Sequence, residues 1–274
     1  MNLKLSFLAI VFLPMMVFSQ AINRIVSLAP SLTMNIYYLD SKQKIVGCTS
    51  YCEIAKPDKK EIVGSATTVN IEKIVSLKPD LVVAHSITKP EVIDKLRKMG
   101  LRVEIFNTPK SFDEICSQFL RLGIMIGKTE KAKSIIAQTK TRVETIKAKH
   151  KGKAALKIFF QIGAEPLFTV MTNTFMNDYM LLCGGTNIAA DLKAGSIGRE
   201  TVLKRNPDAI FIVTMGIAGN EEKAIWQKYN QLSAAKRKQI FIIDSNQACT
   251  PTPLSFIATL ETIDKLLFPP KTKK

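Results

Sequence analysis

The stretch Glu72-Lys-Ile-Val-Ser-Leu-Lys-Pro79-Asp80-Leu-Val-Val83 has a counterpart in Glu200-Thr-Val-Leu-Lys-Arg-Asn-Pro207-Asp208-Ala-Ile-Phe211. In both, a Glu opens a short apolar stretch, Pro-Asp follows at the same offset, and an apolar run comes next. The helix dipole favours a Glu in the first turn, whereas Pro ends a helix and favours extended geometry at the residue before it. The final run is typical of a buried parallel strand. The repeat therefore predicts two similar α/β lobes, each presenting one carboxylate at a helix start.

The rest of the chain fits this organisation. A chain of 274 residues that is 46% apolar can fill one or two cores, and strand and helix patterns alternate along it. Residues 128–149 contain no Gly or Pro, and their narrow apolar stripe predicts one helix of about 22 residues. We expect an α/β protein: two Rossmann-like lobes with mainly parallel sheets (20–127 and 151–274), joined by one long backbone helix (128–150). Such folds bind ligands at the carboxyl ends of their strands, here between the lobes.

The first nineteen residues have the pattern of a cleavable signal peptide. Lys4 gives a basic start, an apolar run extends from Leu5 to Phe18, and cleavage is expected ahead of Gln20. The run is short for a membrane span, although an uncleaved anchor is the alternative. Because no Cys stands at the cleavage position, we expect an exported periplasmic protein that is not a lipoprotein.

The net charge bears on the class of binding partner, and the cysteine content bears on disulfide pairing. The formal net charge is +16, which often indicates nucleic acid, but an exported protein meets little of it and no aromatic-interleaved basic stripe is present. We expect no nucleic-acid partner; a surface facing acidic lipids or an anionic ligand accounts better for the charge. Five cysteines are an odd number for an oxidising compartment. Cys48 and Cys52 are close enough in sequence to pair, but the sequence leaves the connectivity open.

Several stretches together resemble one known family, the periplasmic substrate-binding proteins of ABC importers. Within it, the chain resembles the helical-backbone group that carries vitamin B12 and other corrinoids, ferric siderophores and haem, and its pattern is nearest to the corrinoid binders. The resemblance implies a monomeric carrier with no enzymatic activity and no cofactor of its own, which serves a permease dimer at the inner membrane. It is carried by Arg24-Ile-Val-Ser-Leu-Ala-Pro-Ser31, Val46-Gly-Cys-Thr-Ser-Tyr-Cys52, Asn70-Ile-Glu-Lys-Ile-Val-Ser-Leu-Lys-Pro-Asp80, Leu182-Cys-Gly-Gly-Thr-Asn187 and the block from Arg199-Glu200 to Pro207-Asp208.

The resemblance assigns a role to the repeated glutamates. Paired lobe glutamates of this family dock into basic pockets of the permease, and Glu72 and Glu200 match those motif positions. The plainer interpretation is a helix-capping charge, worth under about 1 kcal/mol. Symmetric carboxylates suit a two-fold permease that offers an Arg cluster to each lobe.

The resemblance also implies the cargo, a metal-containing corrinoid, ferric chelate or haem. Corrinoid binders of the family line the cleft with aromatic rings, and Tyr51 stands at a matching position. Ala66 and Ala194 occupy positions where Trp is common, and His85 stands where another aromatic is expected. His85 is interpreted as a polar wall residue; the alternative is an axial ligand to the metal.

Further positions follow from chain order alone. Ile162 and Met215 are expected to follow strands of the second lobe and to face the ligand, with Gln247 at the rim before the last helix. Trp226 is assigned to a surface helix and His150 to the exposed end of the long helix. The chain has no nucleophile elbow, P-loop or metal-ligand pair at helical spacing, so an exported hydrolase is the less favoured alternative.

Overall fold

The computed structural model describes residues 21–65, 68–214 and 218–269, which form two α/β lobes, each built on a five-stranded sheet. The predicted signal peptide, Ala66 and Met215 lie outside the described residues. The α/β class with two mainly parallel sheets is confirmed.

The sheet of the first lobe is parallel throughout. Its strands are β1 (Ile25–Ser27), β2 (Ile45–Thr49), β3 (Glu61–Gly64), β4 (Leu81–His85) and β5 (Val103–Phe106). They lie in the order β3-β2-β1-β4-β5. Successive strands are therefore added on one side of β1 up to β3, and on the opposite side of β1 from β4 onward. Open α/β sheets bind ligands at such a switch point. The helices of this lobe are α1 (Pro30–Tyr38), α2 (Ile71–Ser76), α3 (Pro90–Lys98) and α4 (Phe112–Met125).

Alternate strand residues feed two separate cores, one on each face of this sheet. In β4, Leu81 and Val83 pack into the cluster that includes residues of α1 and α4. Val82 and Ala84 pack into the cluster that includes residues of α2 and α3. The alternation follows from the two-residue period of a strand, and burial on both faces is what a parallel sheet requires.

The second lobe repeats this layering with one antiparallel strand. Its strands are β6 (Leu156–Ala164), β7 (Leu167–Thr169), β8 (Gly185–Asn187), β9 (Ala209–Val213) and β10 (Ile240–Ile243). The order is β10-β9-β6-β7, with β8 beside the start of β6; only β7 runs antiparallel among these described strands. Its helices are α6 (Phe175–Leu182), α7 (Arg199–Arg205), α8 (Gly219–Gln227), α9 (Ser233–Lys236), α10 (Ser245–Ala248) and α11 (Pro253–Leu267).

A 22-residue helix, α5 (Thr129–His150), connects the lobes and packs against α4 and α11. The core beside it is shared between the lobes, because Phe112 of α4 belongs to the same cluster as Tyr179 and Phe256. Phe256 stacks on both other rings, with ring centroids 4.6 Å apart in each pair. Asp178 adds a hydrogen bond, since its Oδ2 accepts from the backbone N–H of Phe112 at 2.7 Å. The lobes therefore meet through a packed core.

Both copies of the repeat form a helix, a stop and a strand, α2 then β4 and α7 then β9. The backbone before each proline corrects our expectation of extended geometry, since Lys78 and Asn206 are both left-handed with φ of 46°. The reason is that these residues end their helices: the N–H of Lys78 donates to the Val75 carbonyl and that of Asn206 to the Val202 carbonyl, both at 3.0 Å.

The aspartate after each proline binds the start of the neighbouring strand. Asp80 Oδ2 accepts from the backbone N–H groups of Asn23 at 2.8 Å and Arg24 at 2.9 Å, just before β1. Asp208 Oδ2 accepts from the backbone N–H of Lys157 at 2.9 Å, in β6. The two lobes are therefore alike down to the hydrogen bonds that fix strand order.

Two side chains predicted at the surface are buried. Trp226 is fully buried because the inner face of α8 packs on the sheet, and its Nε1 donates to Gln161 Oε1 at 2.7 Å. His150 is covered because the end of α5 packs against α11: its Nε2 lies 2.6 Å from Asp264 Oδ1, and its ring lies 4.3 Å from that of Phe268. Both predictions were wrong.

Candidate functional site

A cleft of about 500 Å³ lies between the lobes, at the carboxyl ends of the first lobe's strands. The first lobe contributes residues that follow β1, β2, β4 and β5, and the second lobe contributes the start of α6 and the segment between α10 and α11. The lining residues are Leu28, Ala29, Pro30, Ser31, Thr49, Tyr51, His85, Ile87, Thr88, Thr108, Phe175, Cys249, Thr250 and Pro251. The cleft therefore spans the switch point of the sheet, where such folds bind small molecules.

The cleft has an uncharged lining. None of the described residues that form it is Asp, Glu, Lys or Arg. Apolar side chains are interspersed with the phenol of Tyr51 and five serine and threonine hydroxyls, those of Ser31, Thr49, Thr88, Thr108 and Thr250. A formally charged ligand group would lose its hydration there without gaining a counter-ion. The surface instead suits a large amphipathic ligand that offers neutral hydrogen-bonding groups.

His85 ends β4 and borders the cleft. Its Nδ1 is buried without a hydrogen-bond partner. Its Nε2 forms no hydrogen bond within the described chain and is not among the buried unpaired atoms, so it is open to the cleft. Burial lowers the pKa of His85 from its usual value of 6.5, which keeps the imidazole neutral at pH 7. A neutral ring can exchange a hydrogen bond with a ligand or coordinate a metal ion.

Two large apolar side chains stand exposed at the mouth of the cleft. Tyr51, in the turn after β2, is 59% exposed, and Ile87, in the loop after β4, is 80% exposed. Phe175 contributes an aromatic ring from the second lobe. Apolar groups held in water beside a concave surface are typical of a ligand site, because a ligand gains by covering them.

The remaining residues that were predicted to bind ligand do not line the cleft in the described part of the chain. Ile162 lies within β6 and packs against the second lobe's core, and Gln247 is half-buried in α10; neither lines the cavity. Met215 is outside the described residues, and Ala194 is exposed and away from the lining. Sequence reasoning missed several lining residues, although a position directly after a strand was the available signal for Ile87 and its neighbours. These missed residues include Ile87, Thr88, Thr108, Phe175, Thr250 and Pro251.

Glu72 and Glu200 occupy the first turns of α2 and α7, and both are exposed. Neither forms a hydrogen bond or an ion pair within the described part of the chain. Helix α2 follows the end of β3, and α7 follows residues 195–197, which bond to β7 beside the end of β6. Both carboxylates therefore lie at the strand-end side of their lobes, the side on which the cleft opens.

A buried polar network anchors the start of α7. Arg199, next to Glu200, donates to both carboxylate oxygens of Glu222 at 2.7 Å, and its guanidinium lies 4.8 Å from the Trp226 ring centroid. Glu222 Oε2 also accepts from Gln161 Nε2 at 2.7 Å. Since Glu222 is almost fully buried, this ion pair fixes α7 against α8 and the sheet.

A second cavity, of about 520 Å³, lies at the end of α5, lined partly by Glu144, Lys147 and His150. It does not adjoin the strand ends. Within residues 21–65, 68–214 and 218–269 there is no group of three or more His, Cys, Asp or Glu placed to hold a metal ion. In the same ranges no helix combines the length and apolarity needed to cross a bilayer.

The chain belongs to the periplasmic binding protein family, whose family model matches residues 25–247. Members of this family are substrate-binding transport proteins rather than enzymes. Among individual relatives, the vitamin B12-binding protein of Yersinia pestis (strain Pestoides F) is 30% identical over 212 residues, which cover 76% of this chain and 75% of that protein.

Comparison with solved structures gives the same family. The periplasmic vitamin B12 binding protein of Vibrio cholerae is 27% identical with a TM-score of 0.75, and the match covers 90% of this chain and 96% of the other. A possible iron-binding (periplasmic solute-binding) protein of Staphylococcus epidermidis is 26% identical with a TM-score of 0.80, covering 91% and 100%. The chain is thus a periplasmic binding protein, similar to vitamin B12-binding proteins and to a possible iron-binding protein, which confirms the predicted family.

Proposed function

We propose that this protein is the substrate-binding component of an ABC importer and that it captures a corrinoid in the cleft between its lobes. The observation that carries the proposal is the uncharged lining of the cleft. A corrin ring bears neutral carboxamide side chains, whereas haem bears two propionate carboxylates and many ferric siderophores are anionic. Placing those anions against this lining without a basic partner would cost several kcal/mol each.

The lining offers a specific way to hold such a ring. Tyr51 from the first lobe supplies exposed aromatic surface for the flat macrocycle, and the largely buried Phe175 borders the cleft from the second lobe. The hydroxyls of Thr88 and Thr108, which form no hydrogen bond within the described chain, can donate to amide carbonyls and accept from amide N–H groups. His85 contributes one further neutral hydrogen-bonding group at the switch point.

Titration calorimetry of the purified protein tests the cargo. The ligands are cyanocobalamin, cobinamide, haem and a set of ferric siderophores, each titrated under the same buffer conditions. We expect one-to-one binding of a corrinoid and no comparable heat from haem or the ferric chelates. Tight binding of haem or a ferric siderophore by a protein that ignores both corrinoids would overturn the assignment.

A ferric siderophore or haem is the second candidate cargo, and the open Nε2 of His85 is the observation that favours it. A neutral imidazole in a cleft can serve as an axial ligand to iron or cobalt. The absorption spectrum of the protein mixed with ferric haem separates the cases. Histidine ligation would give a Soret band that shifts in His85→Phe, whereas a wall residue would leave the spectrum unchanged.

Delivery requires a partner, and we infer that Glu72 and Glu200 dock the loaded protein on a permease dimer. Their exposure, their lack of partners in the described chain and their position on the strand-end side of the two lobes support this role. Each carboxylate suits a charge-assisted hydrogen bond to an arginine cluster. One monomer with one carboxylate per lobe matches a two-fold partner.

A further inference from the structure

Cys48 and Cys52 form a thiol pair beside the cleft. Cys48 lies in β2, and Cys52 lies four residues further on, in the turn closed by a bond from its N–H to the Thr49 carbonyl at 3.1 Å. Both residues are at most 2% exposed and line one cavity, and an interaction between their side chains shifts the pKa of both. All five cysteines fall within the described residues, and all are free thiols.

The surroundings of Cys52 favour its thiolate. Its Sγ lies 3.1 Å from Thr33 Oγ1 and 3.3 Å from Thr49 Oγ1, so two hydroxyls and the Cys48 thiol surround one sulfur. The interaction with Cys48 lowers the pKa of Cys52, burial opposes the shift, and the hydrogen bonds from the threonines lower it further. The same interaction and burial raise the pKa of Cys48. A thiolate paired with a neighbouring thiol is the arrangement that reacts in thiol–disulfide exchange.

The two buried cysteines border a cavity. A cavity of about 320 Å³ is lined by both cysteines and lies outside the ligand cleft. Lys56, Lys59 and Lys60 line the same cavity. Their ammonium groups favour a thiolate and attract anionic disulfides or an acidic protein surface. This cavity is therefore the route by which a small disulfide would approach the two buried sulfurs.

We propose that Cys48 and Cys52 are an oxidisable dithiol that closes to an intramolecular disulfide in the oxidising compartment of this family. The Cys52 thiolate attacks one sulfur of a donor disulfide, carried by a thiol–disulfide oxidoreductase or a small molecule, and the other donor sulfur leaves as a thiolate. The Cys48 thiolate then attacks Cys52 in the mixed disulfide and releases the second donor thiolate. The protein loses two electrons and two protons, and the donor is reduced to its dithiol form.

The new bond would close a ring that contains Tyr51, which lines the cleft. This consequence rests on the proposed function. Because binding loses the freedom of mobile side chains and loops, a pre-ordered Tyr51 turn should raise corrinoid affinity by roughly two- to tenfold. The thiol pair would then couple the oxidation state of the compartment to cargo retention.

Thiol counting tests the disulfide independently of any cargo. The purified protein is incubated with oxidised glutathione or with dithiothreitol, then unfolded and labelled with a maleimide before mass analysis. Of the five cysteines, we expect five to be labelled after reduction and three after oxidation, with the missing two in one tryptic peptide that begins at Ile45. Five labelled thiols after oxidation, or a bond from either residue to another cysteine, would overturn the proposal.

Variants and a titration complete the test. Cys52→Ala should abolish the oxidation step, whereas Cys116→Ala, which removes a buried thiol of α4, should leave it intact. The wild-type thiol count stands alone if a variant fails to fold. Cobinamide is then titrated into both oxidation states: equal affinities would refute the effect on the cleft while the disulfide stands. Absence of corrinoid binding in both states would instead remove the proposed cargo and leave the thiol result untouched.

Discussion

The protonation state of the His85 imidazole is controlled by the burial of its ring. His85 is partly buried at the end of β4, and this burial lowers its pKa below the usual 6.5. Charging this ring therefore opposes the folded state. The same burial keeps the imidazole neutral, and so available to a ligand, at neutral pH.

This pKa shift predicts a pH dependence of stability. Between the native pKa and 6.5 the unfolded chain binds more protons at this position than the native protein, so stability rises with pH there. The His85 contribution is complete above pH 6.5 and is lost as the pH falls towards the native value. We expect urea unfolding between pH 7.5 and 5 to show a smaller loss of unfolding free energy in His85→Gln than in wild type. Identical slopes in the two proteins would contradict this.

Tyr51 permits a direct test of the aromatic wall. Replacing Tyr51 with Ala removes ring surface from a corrinoid, which corresponds to about 0.5–1.5 kcal/mol, or roughly a two- to tenfold weaker affinity. Tyr51→Phe is the matched control because it keeps the ring, and it should bind like wild type. Calorimetry with cobinamide measures both; equal affinity for Tyr51→Ala and wild type would exclude a stacking role.

Sequence reasoning could reach only part of this site. Tyr51 and His85 were predicted to face the ligand because they stand at positions where the family has cleft aromatics, and His85 also because it directly follows a predicted parallel strand, the ligand-facing edge of such sheets. Phe175 and Thr250 carry no such local signal. Their contribution depends on how α6 and the segment before α11 pack against the first lobe, which is a long-range property of the shared core.

Among the secondary-structure elements, the strands that can be predicted from the sequence are the apolar, largely buried ones. Ala209–Val213 and Ile240–Ile243 can be recognised from the sequence because buried runs of apolar residues are distinctive. The strands Glu61–Gly64 and Gly185–Asn187 carry no such signal, since they are short and partly polar. They are strands because a neighbouring strand supplies hydrogen-bond partners, so context outweighs local propensity.

The aspartates of the repeat predict matched losses in stability. Asp80→Ala and Asp208→Ala each remove carboxylate acceptors from backbone N–H groups at a strand start. We expect each to lower the unfolding free energy by about 1–2 kcal/mol. Asp94→Ala, on the exposed face of α3, is the control and should change it little. Urea denaturation measures all three, and a loss at Asp94 equal to the others would contradict a role specific to the repeat.

The network beneath α7 predicts a larger effect. Glu222→Ala leaves the guanidinium of Arg199 and the amide of Gln161 without their buried partner. Breaking a buried ion pair in this way costs about 3–5 kcal/mol. The exposed neighbour Glu221 provides the control, because Glu221→Ala removes the same charge without the network. Chemical denaturation should separate the two variants clearly, and similar stabilities would mean that the network contributes little.

In the whole molecule, a packed core and a long helix join the two lobes, and a cleft lies between them. The core shared by α4, α6 and α11 and the long helix α5 hold the lobes together, so cargo binding is expected to need only modest adjustment. This arrangement also keeps Glu72 and Glu200 at a constant separation on the cleft side. In the proposed function, a permease would engage both lobes at once, with the cargo between them.

Uptake of labelled cobinamide by cells that express the protein with its own permease tests this account most directly. Glu72→Ala combined with Glu200→Ala should abolish uptake while calorimetric affinity for cobinamide stays at the wild-type value. The matched control combines Glu91→Ala with Glu221→Ala, exposed first-turn glutamates of α3 and α8, one in each lobe, and should transport normally. Wild-type uptake by the Glu72 and Glu200 double variant, or loss of its cobinamide binding, would contradict the account.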